Sequence, residues 1–581
     1  MQSYRPTYHA SVPSGWSNDP NGTIFYNGKA HLFFQHYPHK PEWGTMHWGH
    51  FTTTDFVKWE TQPVALVPDQ DYEAVCGCCS GSAVEKDGNL WLIYTAAQPE
   101  QQRQCIAIST DGGIHFEKNK DNPILTSGML DLEVTETDCR DPHIFQKDGF
   151  YYFVAGARVL TKEELREAKA SAEASAMVSS GTSAETSASA EASAMVSSGI
   201  SAETSASAGS APDSGPESVS FEPSSGSSMG VRSPSAGPDT SETEKEEKEE
   251  KEGKEEKEEK KAGYGNLILA RSKDLLHWEY IGHLIDEDTE GQIPLERDYY
   301  VLDGAYECPD YIVLNGQEIV LTSPQNLPQI GTSYQNVHSG VYMLGALNFE
   351  TGRFRIDYIG ELDNGFDFYA AQTLKMPDGR VILIAWKEMW DRNFPTQKEG
   401  WAGTYTLPRE LYFEDGHFIQ KPVREIERYR SGKAAVDLFE VTDDSISIEH
   451  VNGRTIELNV TVEPGTAAQA GVKLFCGSQH ETLVYYDAEQ GQLIFDRSKS
   501  GIPITGSEKD VNRRVCPIGK ADSIDLRIFL DISTIEVFIN GGRFVMTGNV
   551  YPDPDEDTGV QFYADKGKAV FRNLEKYDIL V

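Results

Sequence analysis

Five times in the first 430 residues, an Asn-Gly or Asp-Gly dipeptide stands immediately before a short run of β-forming residues. The dipeptides are Asn27-Gly28 before HLFFQ, Asp87-Gly88 before LWLIYT, Asp148-Gly149 before YYFVAG, Asn315-Gly316 before EIVLTS, and Asp378-Gly379 before VILIAW. Such pairs between β-rich segments are the strongest short-range signal for a hairpin. The glycines are 60, 61, 167 and 63 residues apart, and 167 falls to 64 when segment 161–263 is set aside. A second signature recurs as TTDFVKW, STDGGIHF and RSKDLLHW. Five equal β-units of this size predict a five-bladed propeller, each blade a four-stranded antiparallel sheet. A β-sandwich with accidental periodicity is the competing arrangement.

Segment 161–263 is of another kind. An 18-residue repeat, EASAMVSSGTSAETSASA, starts at Glu173 and returns with one change at Glu191, and a Glu/Lys run follows from Lys245 to Lys261. With hardly a large apolar residue, the segment cannot bury enough surface to offset its ordering entropy, so a disordered insertion is expected. It falls between FVAGAR and GNLILARS, where a hairpin joining two strands of the third blade can protrude. From about residue 435 the pattern changes to short alternating strands such as TIELNVTV and TIEVFINGG, the pattern of a β-sandwich. The expected architecture is all-β: a propeller over 1–430 interrupted by 161–263, then a sandwich over 435–581.

A formal charge of −39 disfavours nucleic acid and anionic membrane as partners and suits a neutral substrate better. No apolar run reaches the ~20 residues needed to cross a bilayer. The N-terminal residues MQSYRPTYH do not resemble a secretion signal. The eight cysteines form no disulfide framework, and Cys76, Cys78 and Cys79 lack a second close pair that would complete a metal site. His47 and His50 flank Trp48 without a third ligand, and are expected to be structural or pocket-wall residues. A reduced, cytoplasmic chain without metal or cofactor is expected.

The residues upstream of the five turns carry the chemistry. Asp19 lies 9 residues before its turn glycine, Asp141 lies 8 and Glu307 lies 9. Equivalent places in successive blades fall on a ring around the propeller axis, so three carboxylates far apart in sequence are expected at one mouth. Paired carboxylates of divergent acidity are what glycoside hydrolysis needs, one ionised and one able to donate a proton. Arg140, beside Asp141, is expected to keep that carboxylate ionised.

The segments WSNDPNG, RDP and YECPD, in that order, resemble the three signatures of glycoside hydrolase family 32, the invertases and sucrose-6-phosphate hydrolases. HLFFQHYP, MHWGH, SGSA, FDFYAAQ and GWAGTYTLPREL resemble its secondary motifs. The resemblance covers the chain outside 161–263 and implies a five-bladed propeller followed by a sandwich. It implies a retaining β-fructofuranosidase acting on sucrose or sucrose 6-phosphate. Asp19 would be its nucleophile, Glu307 its acid/base and Asp141 the stabiliser of the oxocarbenium-like transition state. Asn18, Gln35, Trp43, Ser80 and Arg140 match positions lining the sugar pocket, and Trp16 and Trp43 offer stacking faces. Two departures touch the pocket: Ser17, where the family usually has Met, and Cys79, where an aromatic usually precedes SGSA. Both bear on substrate preference. Retention predicts a carboxyl separation of about 5–5.5 Å between Asp19 and Glu307. A fructan exo-hydrolase, a fructosyltransferase, an inverting arabinan-type hydrolase and a non-catalytic fructan-binding protein are the alternatives.

Overall fold

In the computed structural model, residues 4–99, 101–131, 133–172, 263–286, 304–507 and 509–581 are described. Five separate sheets follow one another along the chain up to Pro422, and a sixth set of strands begins at Arg430. Each of the five opens with a strand at the molecule's axis: Gly15–Tyr26, Gly77–Lys86, Val134–Lys147, Tyr306–Leu314 and Tyr369–Lys375. These first strands touch one another in order and the fifth returns to the first, which closes the ring of a five-bladed propeller.

The turns that suggested the blades form as their chemistry requires. At Asn27-Gly28, Asp87-Gly88, Asp148-Gly149 and Asn315-Gly316 both residues have positive φ, from 49° to 83°. This is the two-residue type I′ geometry, whose twist matches that of the flanking strands. The fifth turn differs: Lys375 pairs with Val381, and the Met376 and Arg380 backbones close a longer loop in which Gly379 alone is left-handed. The second signature is a turn too. Thr53, Ser109 and Ser272 each accept backbone N–H groups from just ahead through their hydroxyls. Asp55, Asp111 and Asp274 accept the next two through their carboxylates. The short polar side chains replace backbone partners where the chain turns from the third strand of a blade to the fourth.

Two blades exceed the expected four strands. Trp401–Ala402 pairs in parallel with Gly15 and Trp16 at the edge of the first sheet, and Leu125–Thr126 adds to the second. Apolar layers lie between blades. Leu32, Phe34 and Phe51 pack on Ile382 and Ile384, while Tyr152 and Val154 pack on Tyr306 and Val320. Each such buried side chain contributes on the order of 1.5–3 kcal/mol.

In the third blade, Val159 pairs with Tyr264, so the chain departs and returns at adjacent points of one hairpin. Residues 1–159 and 263–581 make one compact unit and 160–262 a second. Residues 162–172 of the second are helical, in contrast to the expected absence of structure; the repeat and the Glu/Lys run lie outside the described residues. The C-terminal strands form a sandwich. The long strand Gly559–Ile579 pairs along its first part with Gln469–Cys476 and along its last part with Thr455–Glu463, joining the two halves of one ten-stranded sheet around a core that includes Leu458, Val472, Phe495 and Phe562. No helix among the described residues is long and apolar enough to cross a membrane.

Candidate active site

Every first strand has an irregularity at the same place. Pairing with the second strand slips between Ser17 and Pro20, Cys79 and Gly81, Arg140 and His143, Glu307 and Asp310, and Tyr369 and Gln372. Such bulges bend a strand and re-aim its side chains. Asp141, Cys308 and Ala370 take positive φ there, at 61°, 45° and 54°. Pro142 and Pro309 sit inside two of the bulges, where no ladder hydrogen bond is asked of them, and Pro20 closes the first, opposite Phe34. Each blade thereby delivers one polar side chain to the axis: Asp19, Ser80, Asp141, Glu307 and Tyr369.

These groups converge. Asp19 is buried, 7% exposed. Its Oδ2 accepts hydrogen bonds from Ser80 Oγ (2.6 Å) and Gln35 Nε2 (2.9 Å), and its Oδ1 from Asn18 Nδ2 (3.1 Å). The Cys308 thiol lies 3.5 Å from Asp19 Oδ2 and 3.8 Å from Asp141 Oδ2, while the Cys308 backbone N–H donates to Asp141 Oδ2 at 3.1 Å. Glu307 accepts from Arg140 Nη2 (3.0 Å) and Nε (3.3 Å) through Oε1, and from the Tyr369 hydroxyl (2.6 Å) through Oε2. Asp19 and Asp141 are thus linked through Cys308, and Glu307, the residue before Cys308, joins them through Arg140, the residue before Asp141.

Burial sets the electrostatics. It raises the Asp19 carboxyl; the Ser80 hydrogen bond opposes this and the Glu307 charge adds to it. Burial also pushes Asp141 up to about 7, against the pull of Arg140 and with the help of Glu307 and Asp19. Arg140 favours the ionised form of Asp141, but burial outweighs its pull. The guanidinium is engaged by Glu307 and by Asp138 (2.8 Å), leaving Asp141 Oδ2 at 3.9 Å from Nε. Burial among carboxylates holds the Cys308 thiol and the Tyr369 phenol well above their usual values, so both stay neutral donors.

The remaining predicted residues take several positions. Trp16 is 5% exposed, packed against Trp386 and Trp390. Its indole N–H donates to Asn18 Oδ1 at 2.8 Å, which orients the Asn18 amide toward Asp19; it is a support behind the pocket rather than an open stacking face. Trp43 is 44% exposed on the loop between strands Lys29–Tyr37 and His47–Thr53. Cys79 is half-buried; its carbonyl accepts from Trp48 Nε1 at 3.0 Å and its thiol faces the Cys76 carbonyl. His50 bonds His31 at 3.0 Å and His47 faces the Thr45 carbonyl, so the two are not paired with each other. Among the described residues, no group of three His, Cys, Asp or Glu is placed to hold a metal ion.

Tyr369, Cys308 and Asp138 escaped the sequence argument. Tyr369 lies 10 residues before Gly379, one more than the 8 or 9 of the acids because the fifth turn is longer, and the search for carboxylates also passed it over. A cavity of about 830 Å³ opens elsewhere, where the first strands end, between residues such as Thr23, Val84, Gln146, Val313 and Lys375. It holds none of the three carboxylates.

The model for the glycosyl hydrolases family 32 N-terminal domain matches residues 9–167 and 257–422, and that for the family 32 C-terminal domain matches 425–578. A sucrose-6-phosphate hydrolase of Zymomonas mobilis is 30% identical over 99% of this chain and 92% of its own length. One of Escherichia coli is 29% identical over 98% and 94%. Among solved structures, the sucrose-6-phosphate hydrolase of Lactobacillus gasseri superposes with a TM-score of 0.71 at 25% identity, covering 99% of this chain and 93% of that one. The Bombyx mori GH32 beta-fructofuranosidase BmSUC1 gives 0.68 at 27% identity over 99% and 94%.

Proposed function

The chain belongs to glycosyl hydrolase family 32, and from that premise we propose that it releases the terminal β-fructofuranosyl group of sucrose or sucrose 6-phosphate, as its relatives' names describe for them. The observation that supports this reading is the gathering of Asp19, Asp141 and Glu307 around Cys308 and Arg140, close enough for their charges to act on one another.

Asp19 is the nucleophile. Four side-chain donors, from Asn18, Gln35, Ser80 and Cys308, stabilise its anion despite burial, and they fix the carboxylate plane for attack on the anomeric carbon. Glu307 donates its proton to the leaving oxygen as the C–O bond breaks, giving a fructosyl ester on Asp19. It then takes a proton from water as that water opens the ester. Its side chain is 18% exposed, against 5% for Asp141, which suits a group exchanging protons with leaving sugar and water. Asp141 binds fructose hydroxyls and steadies the positive charge of the transition state. Gln35, Asn18, Ser80 and Arg140 line the fructose side, and Trp43 offers a face at the rim.

Catalysis belongs to residues 1–430, with 161–263 outside the chemistry. The eight cysteines, all free thiols, support a reducing, cytoplasmic setting. Free fructose assayed beside Asp19→Asn and Glu307→Gln variants tests the mechanism. Losses in kcat of at least ~10³-fold are expected for Asp19→Asn and at least ~10²-fold for Glu307→Gln, typical of a lost nucleophile and a lost general acid. Undiminished turnover by Asp19→Asn would overturn it.

A further inference from the structure

On the acid side of this site, a loop of the sandwich meets the propeller at a cluster of positive side chains. Its centre is uncharged. Asn336, buried, lies between strands Gln317–Pro324 and Val341–Leu347 of the fourth blade. Its side-chain oxygen accepts from Arg392 Nη2 (3.0 Å) and from Arg514 Nη2 (2.8 Å) and Nε (3.1 Å), and its carbonyl accepts from Lys509 Nζ (3.0 Å). Arg497 joins them through Asp367, which it shares with Arg392.

Three carboxylates face these four cations. Asp367 is taken up by two arginines. Asp391 lies 3.6 Å from Arg392 Nε and is bonded by Ser507. Asp510 acts on Arg514 through its charge. A positive surplus remains, in a chain whose formal charge is −39. Burial, together with the nearby arginine charges, lowers Arg514 to about 9; burial lowers Arg497 to about 10, with Asp367 opposing and Arg392 contributing. Buried Arg497 Nη2 has no hydrogen-bond partner among the described residues. Cations gathered this way favour an added anion. Lys509 is the exposed member of the cluster, and it forms no ion pair among the described residues.

The cluster adjoins the chemistry. Two residues after Asn336, the His338 ring packs on Tyr369 with centroids 5.6 Å apart, and the Tyr369 hydroxyl donates to Glu307. Burial lowers His338, and the charges of Glu307, Asp391 and Lys509 all act on it, so these four groups share one neighbourhood.

We propose that residues 505–507 and 509–514 of the sandwich complete the leaving-group side of the pocket, and that Lys509 receives a phosphate monoester carried by the leaving sugar. This rests on the fructosidase reading and selects, between its two substrates, the phosphorylated one. An ammonium acts there as a point charge on phosphate, and Arg can replace it.

The test is kcat/KM for sucrose 6-phosphate and for sucrose with the wild type, Lys509→Ala and Lys509→Arg. The wild type should prefer the phosphorylated sugar. The ratio of the two constants should fall about tenfold in Lys509→Ala, mostly through KM for sucrose 6-phosphate, and Lys509→Arg should restore most of it. A ratio unmoved by Lys509→Ala, or a wild type indifferent to the phosphate, overturns this inference and leaves the fructosidase reading standing. A wild type that frees no fructose from either sugar overturns that reading, and this one with it.

Discussion

Asp141 is held by its surroundings in a state that costs stability. A carboxyl raised to about 7 inside the fold, against about 4 in the unfolded chain, makes the native state bind the extra proton between those values. Its contribution is fully present below pH 4, declines as pH rises toward 7 and is constant above. Asp141→Asn cannot ionise. The variant should unfold at a higher temperature than the wild type at pH 8, by several degrees, and the gap should close toward pH 4 while activity is lost throughout. Melting curves across that range test it; a gap independent of pH would assign the proton elsewhere. The three acids stand out in the sequence because each sits eight or nine residues before a turn glycine. The fate of Arg140 does not. Adjacency in sequence suggested Asp141 as its partner, but at the bulge the side chains of neighbours diverge, and Glu307 from the next blade reaches the guanidinium first.

At the scale of the element, the decisive feature is the bulge in each first strand. Pro142 and Pro309 lie within it in the third and fourth blades and Pro20 borders it in the first, since proline in an axial strand is tolerated where pairing lapses. In the second and fifth blades the same slip occupies Ser80 and Ala370-Ala371, with no such marker, and so was not legible. The turn dipeptides gave blade number and spacing because only residues tolerant of positive φ close a two-residue hairpin. They said nothing of how closely blades approach. At Gly156, on the second strand of the third blade, an added Cβ would lie 2.2 Å from the Tyr306 carbonyl, the residue before Glu307. Gly156→Ala should push the start of that strand outward. A loss of roughly 1–3 kcal/mol of stability is expected from overpacking, with kcat down on the order of tenfold to a hundredfold from the displaced acid. Gly88→Ala is the control: an added Cβ meets nothing within 4 Å, but φ is +78°. It should cost about 1 kcal/mol and leave kcat unchanged. Equal kcat values for the two variants would show that the strand absorbs the shift before it reaches Glu307.

At the scale of the whole molecule, propeller and sandwich are joined by buried charge as well as by apolar surface. His9, Asp363, Arg409, Asp531 and Glu536 come from four regions of sequence as far as 527 residues apart, and no local pattern marks them as partners. His9 lies fully buried between Asp531 (Nδ1, 2.8 Å) and Glu536 (Nε2, 3.1 Å), and Asp531 also accepts the backbone N–H groups of Thr7, Tyr8 and His9. Burial disfavours the charged ring, but the two carboxylates outweigh it and hold its pKa above the usual value. The sign of the linkage follows. The native state keeps a proton that the unfolded chain releases near pH 6.5, so this stabilisation is complete below that pH and is lost as pH rises through the raised value. Glu536, held down to about 2, stays ionised across that window and adds no step of its own. Replacing His9 with Asn should destabilise the molecule at neutral pH by roughly 3–5 kcal/mol, because two buried carboxylates lose a countercharge. It should also remove a decline in urea midpoint that the wild type shows on the alkaline side of pH 6.5. Asp141 acts below pH 7 and His9 above 6.5, so the two variants should flatten different limbs of one stability profile; a decline persisting in His9→Asn would place the alkaline step in another group.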